Sequence, residues 1–226
     1  MGSEPALTVY HGGGFICGSI ASHNRLCPRL IRVAGCTITS VDYRLAPEHR
    51  YPAAFEDAYG ALNGVAGHGQ DHGIDVFRIA VAHDSAEAVL AAVASISARD
   101  EMGPALRRHL LIYSGTDLEV DTQSRRQFES GYSSKAGHPD VRRGLCAGAA
   151  RAVRPWPLTG LAASRAGLPR PRAAIIPAEC DPLREEGEAY AARLAVSGVA
   201  VEIVRHRGSS TALSACSVWS RRLTRL

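Results

Sequence analysis

The chain has 226 residues, 46% of them hydrophobic and 21% charged, which is enough for one α/β domain with a sizeable core and no need of disulfides or metals. Its formal charge of +4 is almost all arginine, with Lys135 the single lysine. Seven arginines in 141–178 and five in 203–226 show neither helical spacing nor interleaved aromatics, which argues against a nucleic-acid partner.

In chain order, "ALTVY" (6–10) reads as a buried strand entering the glycine loop "HGGGF". "SHNRLCPRLIRVAG" (22–35) puts Leu26, Leu30 and Val33 on one helical face, and Gly35 supplies a stop. "CTITSVDY" (36–43) is the next strand. "YPAAFEDAYGALNGV" (51–65) is a helix with Pro52 in its first turn. "RIAVA" (78–82) is a strand and "SAEAVLAAVASISA" (85–98) a helix. "HLLIY" (109–113), "RAAIIPA" (172–178) and "VAVEIVR" (199–205) are further strands, with a helix from Asp181 to Gly198 between the last two. This alternation predicts a mostly parallel sheet flanked by helices on both faces. Ligands in such sheets bind beyond the carboxyl ends of the strands, and the glycine loop, Ser85, Asp117 and Asp181 all fall there.

Several classes are set aside. The N-terminus lacks the basic-then-apolar pattern of a signal peptide, and Ala6 breaks the myristoylation pattern. No apolar run approaches a membrane span, and the six cysteines form no C-x-x-C pair. The expectation is therefore a cytoplasmic protein without a zinc site or a redox motif.

The chemistry concentrates at two places. "HGGG" (11–14) after a strand leaves backbone N–H groups free to hold an oxyanion, while the phosphate-loop patterns G-x-x-x-x-G-K-[ST] and G-x-G-x-x-G are absent. Ser85 stands at a strand-to-helix corner, where it reads either as a nucleophile or as a helix cap. Asp181 and Asp117 each follow a strand and are open to the same two readings, an acid that orients a histidine or a cap.

Five stretches carry a resemblance: "VYHGGGFICGS", "SVDYRLAPEHRYPAAFEDAY", "IAVAHDSA", "LLIYSGTDLE" and "IIPAECDPLREEGEAYAARLAVSGVAVEIVRHRG". In this order they resemble the hormone-sensitive-lipase-like, HGGG-type carboxylesterases (bacterial family IV) of the α/β-hydrolase fold. The resemblance implies Ser85 as nucleophile, Asp181 as the acid that orients the base, and Gly13, Gly14 and Ala86 as oxyanion donors, with Gly12 allowing their approach. It also implies hydrolysis of short to medium acyl esters through an acyl-enzyme, with a small-molecule ester as the partner and no metal or cofactor.

The chain departs from that family in four ways. The family elbow G-D-S-A-G-G is here His83-Asp84-Ser85-Ala86-Glu87-Ala88, which predicts a distorted turn or side chains splayed outward. Thr211 stands where the catalytic histidine belongs, leaving His206 and His83 as candidate substitute bases. The chain starts at what resembles the third strand of the family sheet, so the first strands and the N-terminal cap are expected to be missing. That predicts exposed apolar surface and self-association. Finally, the resemblance lapses in part of 118–165, read as a cap-like or irregular insertion, and over 209–226, a divergent tail of the single 1–226 domain. Permitted codons read one base earlier through 210–213 spell His-Gly-Phe, the missing family motif. Residues from about 209, and about 135–160, are therefore either translated out of frame or divergent. Together the departures predict an impaired esterase; the alternative is an inactive homologue that binds a small ligand, or a non-functional truncated product.

Overall fold

The computed structural model describes residues 3–24, 26–116, 120–128 and 171–210. Six strands form one parallel sheet: β1 (Glu4–Tyr10), β2 (Thr37–Val41), β3 (Ile74–Asp84), β4 (Leu106–Ile112), β5 (Arg172–Ile176) and β7 (Val201–Ile203), in the order β2-β1-β3-β4-β5-β7. A second, two-stranded parallel pair joins β6 (Ala178–Cys180) to β8 (His206–Ser210). The helices are α1 (Cys27–Ala34), α2 (Ala53–His68), α3 (Ala88–Asp100), α4 (Gln123–Phe128) and α5 (Arg184–Val196).

Strand periodicity sorts the core onto two faces. Ile79 and Val81 of β3 pack with Ala58 and Leu62 of α2 and with Val89 and Leu90 of α3. On the same side Leu111 and Ile175 meet Tyr190 and Leu194 of α5. Ala80 and Ala82 face the other way, onto Leu7, Val9 and Leu30 of α1. Burial on both faces explains why "RIAVA" reads as a continuous apolar run rather than an alternating one.

Two boundaries differ from the sequence reading. The helix expected from residue 22 starts at Cys27, preceded by a 3-10 turn at Ala21–His23. Pro28 explains the late start, because its ring has no N–H to give and suits only a first turn. His206, expected at the end of a strand, instead opens β8, since β7 stops at Ile203. "HRGSS" carries no β-forming pattern, and its extended form comes from pairing with β6.

Of the expected 118–165 insertion, the described part is 120–128, where α4 docks on α5. Arg125 donates from Nε to Glu186 Oε1 at 2.6 Å, and both side chains are buried. Glu186 also accepts from the Thr116 N–H at 3.2 Å. Removing one member of a buried pair strands the other charge, so Arg125→Met is expected to cost about 3–5 kcal/mol. Urea denaturation checks this; a loss below about 1 kcal/mol would mean that Glu186 is not held by Arg125.

Candidate active site

Ser85 has φ +64°, in the left-handed region, between Asp84 in extended backbone and the 3-10 turn Ser85–Glu87 that leads into α3. For a residue with a side chain that conformation costs on the order of 1–3 kcal/mol, and the surroundings must hold it in place. Here the Ser85 carbonyl accepts the Gly115 N–H at 3.0 Å, and the serine remains partly exposed. The turn keeps this conformation with His83 and Glu87 in place. Neither side chain splays outward: His83 is 1% exposed and Glu87 0%.

The strand-to-helix corner is tied to the glycine loop through Asp84. Its carboxylate accepts the Gly12 N–H at 2.7 Å and the Tyr113 hydroxyl at 2.9 Å, and it lies 3.2 Å from His23 Nε2. Glycine at position 12 leaves room for that carboxylate, because a β-carbon there would run into it and displace Asp84. The hydrogen bond to Asp84, followed by its electrostatic attraction, raises the pKa of His23 above its ordinary value against the opposing effect of burial. His11 stacks on Tyr43 with 4.4 Å between ring centroids, and the Tyr43 hydroxyl donates to the His11 carbonyl at 2.7 Å. Beyond Gly12 the loop turns sharply: Gly13 has φ +152°, Gly14 +63° and Phe15 +64°, with the Phe15 ring buried against Phe55.

Glu87 lies beneath this loop. It accepts the Gly13 N–H at 3.2 Å, the Phe15 N–H at 2.8 Å and the Tyr43 hydroxyl at 3.2 Å. Burial, and then the neighbouring Asp84 charge, push its carboxyl up to about 8. Ala86 is buried directly after the serine.

Asp181 follows β6 and is fully buried. Its Oδ1 accepts the Leu183 N–H at 2.7 Å, so the side chain caps the turn before α5. Gly115 bridges the two regions. A β-carbon on it would lie 3.4 Å from the Leu183 side chain and 3.6 Å from the Ala86 Cα. The ends of β3 and β4 and the turn after Asp181 therefore converge on one edge.

The two histidines considered as substitute bases are placed differently. His83 shares the face of Ile79 and Val81, under α3, and its ring packs edge-on against His109 with centroids 5.2 Å apart. Neither ring makes a hydrogen bond among the described residues. Burial, followed by repulsion from His109, holds the pKa of His83 well below its ordinary value. Burial likewise lowers His109, to about 3. His206 is partly buried at the start of β8, opposite Ala178 and three residues from the Asp181 end of β6. Asp117, Thr211, residues 135–160 and the tail beyond Ser210 lie outside the described residues. Sequence reasoning missed His23, Tyr43 and Tyr113. Their partners are 61, 32 and 29 positions away, and no local pattern announces such contacts.

A serine in left-handed backbone between a parallel strand and a helix, preceded by an aspartate that binds a glycine loop, is an arrangement of the α/β-hydrolase-fold family. The chain belongs to that family, which it matches over residues 7–212. It is 38% identical over 214 residues to the esterase LipI of Mycobacterium tuberculosis, covering 88% of this chain and 62% of that protein. It is 36% identical over 203 residues to an ethyl acetate hydrolase of Pseudomonas putida, again 88% of this chain and 62% of the relative. Among solved structures, a thermostable esterase from Pseudomonas putida superposes with a TM-score of 0.88 at 33% identity, over 99% of this chain and 74% of that one. A Pyrobaculum calidifontis esterase superposes at 0.84 with 36% identity, over 98% and 76%. The relatives are thus esterases and carboxylic ester hydrolases, and the chain spans about three fifths of the length of these curated ones. No helix among the described residues is long and apolar enough to cross a membrane.

Proposed function

We propose that this chain is a carboxylic ester hydrolase of short to medium acyl esters, built on Ser85 and working far below the rate its fold allows. The observation that carries the reading is the left-handed Ser85 at the end of β3, beside a glycine loop fastened to Asp84. The strain has no purpose in a helix cap, since a capping serine sits in extended backbone. In the proposed reaction Ser85 Oγ attacks the acyl carbon and the carbonyl electrons move onto oxygen, toward the amides of Gly13, Gly14 and Ala86. The C–O bond to the alcohol then breaks, the alcohol leaves with a proton, and water releases the acid from the serine ester. Asp181 is the acid that would orient a base from the end of β8. Thr211 at that position cannot accept the serine proton at neutral pH, which is the reason for the low rate.

The test is hydrolysis of p-nitrophenyl acetate by the purified chain beside Ser85→Ala. A slow rate that disappears in Ser85→Ala is expected, because binding and oxyanion donors leave some catalysis without a base. Equal rates in the two proteins would leave the second reading, an inactive homologue that binds a small ligand. The contact between Glu87 and the Gly13 amide favours that reading.

A further inference from the structure

Successive backbone N–H groups in a turn can converge on one point and make a concavity suited to an anion. Gly13, Gly14 and Phe15, all at positive φ, form such a turn, and the group lodged against the Gly13 and Phe15 amides is a side chain of the same protein. Glu87 reaches it from the first turn after Ser85, fully buried, with Oε2 on the Gly13 N–H and Oε1 on the Phe15 N–H and the Tyr43 hydroxyl. We infer that Glu87 is an internal occupant of the oxyanion hole, holding the Gly13 amide that a substrate's carbonyl oxygen would need.

The inference rests on the reading of Ser85 as nucleophile and Gly13 as donor. An amide already bonded to a carboxyl oxygen offers nothing to a developing oxyanion, and loss of one such donor costs about 10²–10³ in rate. An ionised Glu87 would also repel that oxyanion across a short, water-poor gap. The block is positional, because the carboxyl oxygens accept from the loop whether the group is charged or neutral. A glutamine at 87 has one oxygen for the two loop N–H groups, so it keeps the space filled and is expected to keep the probe out without holding both amides. Glycine or alanine removes the block.

The experiment follows the Gly13 amide by NMR in ¹⁵N-labelled protein while sodium acetate is added as a bare oxyanion probe. The wild type and Glu87→Gln are expected to show no change, and Glu87→Gly a saturable shift. Glu87→Ala, with better helix propensity than glycine, carries the test if Glu87→Gly does not fold. The same variants are assayed with p-nitrophenyl acetate, where Glu87→Gly should gain about 10²-fold over wild type and lose the gain with Ser85→Ala. A Gly13 amide that stays silent in both Glu87→Gly and Glu87→Ala, or that already responds in the wild type, overturns the inference whatever the hydrolysis rate. An amide that responds while hydrolysis by Glu87→Gly is the same with and without Ser85→Ala upholds the inference and overturns Ser85 as the nucleophile.

Discussion

Placing histidine at position 211 in the Glu87→Gly background is expected to raise kcat/KM for p-nitrophenyl acetate by about 10²–10⁴ over Glu87→Gly alone, the usual worth of a positioned general base. The described strands show why this position matters. β8 pairs with β6 so that Ser210 lies opposite Cys180, and Cys180 directly precedes the buried Asp181. Position 211 is next in the chain after that pairing. In the wild-type background the same Thr211→His change should gain much less, because a base is of little use while the Gly13 amide is taken. Groups that act as a unit are not additive, and the four proteins form a cycle that measures their coupling. A gain due to a base should also show a rising pH limb near 6.5, which a merely structural change would not produce. Should histidine alone be badly placed, Thr211→His with Ala212→Gly and Leu213→Phe writes the full family motif. If neither version gains in the Glu87→Gly background, position 211 is not where this chain would hold its base.

The parallel sheet was legible because its central strands β1, β3 and β4 end in runs that are apolar on both faces, and α1, α2 and α5 are marked by a proline at the start or a glycine at the end. The serine turn was only half legible. "DSA" after "RIAVAH" marks the corner, and its φ of +64° is what a nucleophile's turn would have. The sequence reading expected the two substituted glycines to distort the turn or splay outward, yet both side chains are buried. His83 finds room beside His109 on β4, and Glu87 finds donors in the glycine loop 72–74 positions away. Both accommodations depend on contacts across the sheet, which neither spacing nor propensity encodes. β8 escaped notice for the same reason, as "HRGSS" becomes a strand only against Ala178–Cys180. Asp181 kept its ambiguity: burial suits an orienting acid, and its bond to the Leu183 N–H suits a cap.

These buried groups also set how stability should vary with pH, with a maximum expected near pH 6.5. His109 has an ordinary value of 6.5 and is lowered to about 3 in the fold, and His83 is lowered in the same direction. Below 6.5 the unfolded chain takes protons that the folded chain refuses, so stability falls on the acid side, at up to about 1.4 kcal/mol per pH unit for each group. His11, also lowered by burial, adds to that fall. Glu87 acts in the opposite sense, being raised from 4.5 to about 8. Between these values the folded chain keeps a proton that the unfolded chain releases, so stability is lost as pH rises toward 8. From 4.5 to 6.5 the two buried histidines outweigh the one carboxyl; above 6.5 Glu87 acts without them. His23, raised by its bond to Asp84, adds to the alkaline loss because its contribution disappears as it gives up its proton. The Tyr43 hydroxyl facing Glu87 is pushed further above its already high ordinary value and stays protonated throughout. Urea denaturation from pH 4 to 9 separates the contributions. Glu87→Gln should flatten the alkaline limb and steepen the acid limb between about 4.5 and 6.5, where the carboxyl opposes the histidines, whereas His109→Phe should make the acid limb shallower and leave the alkaline limb. If Glu87→Gln runs parallel to the wild type from pH 6.5 to 8, Glu87 does not carry a buried proton there and its carboxyl is already ionised beneath the glycine loop.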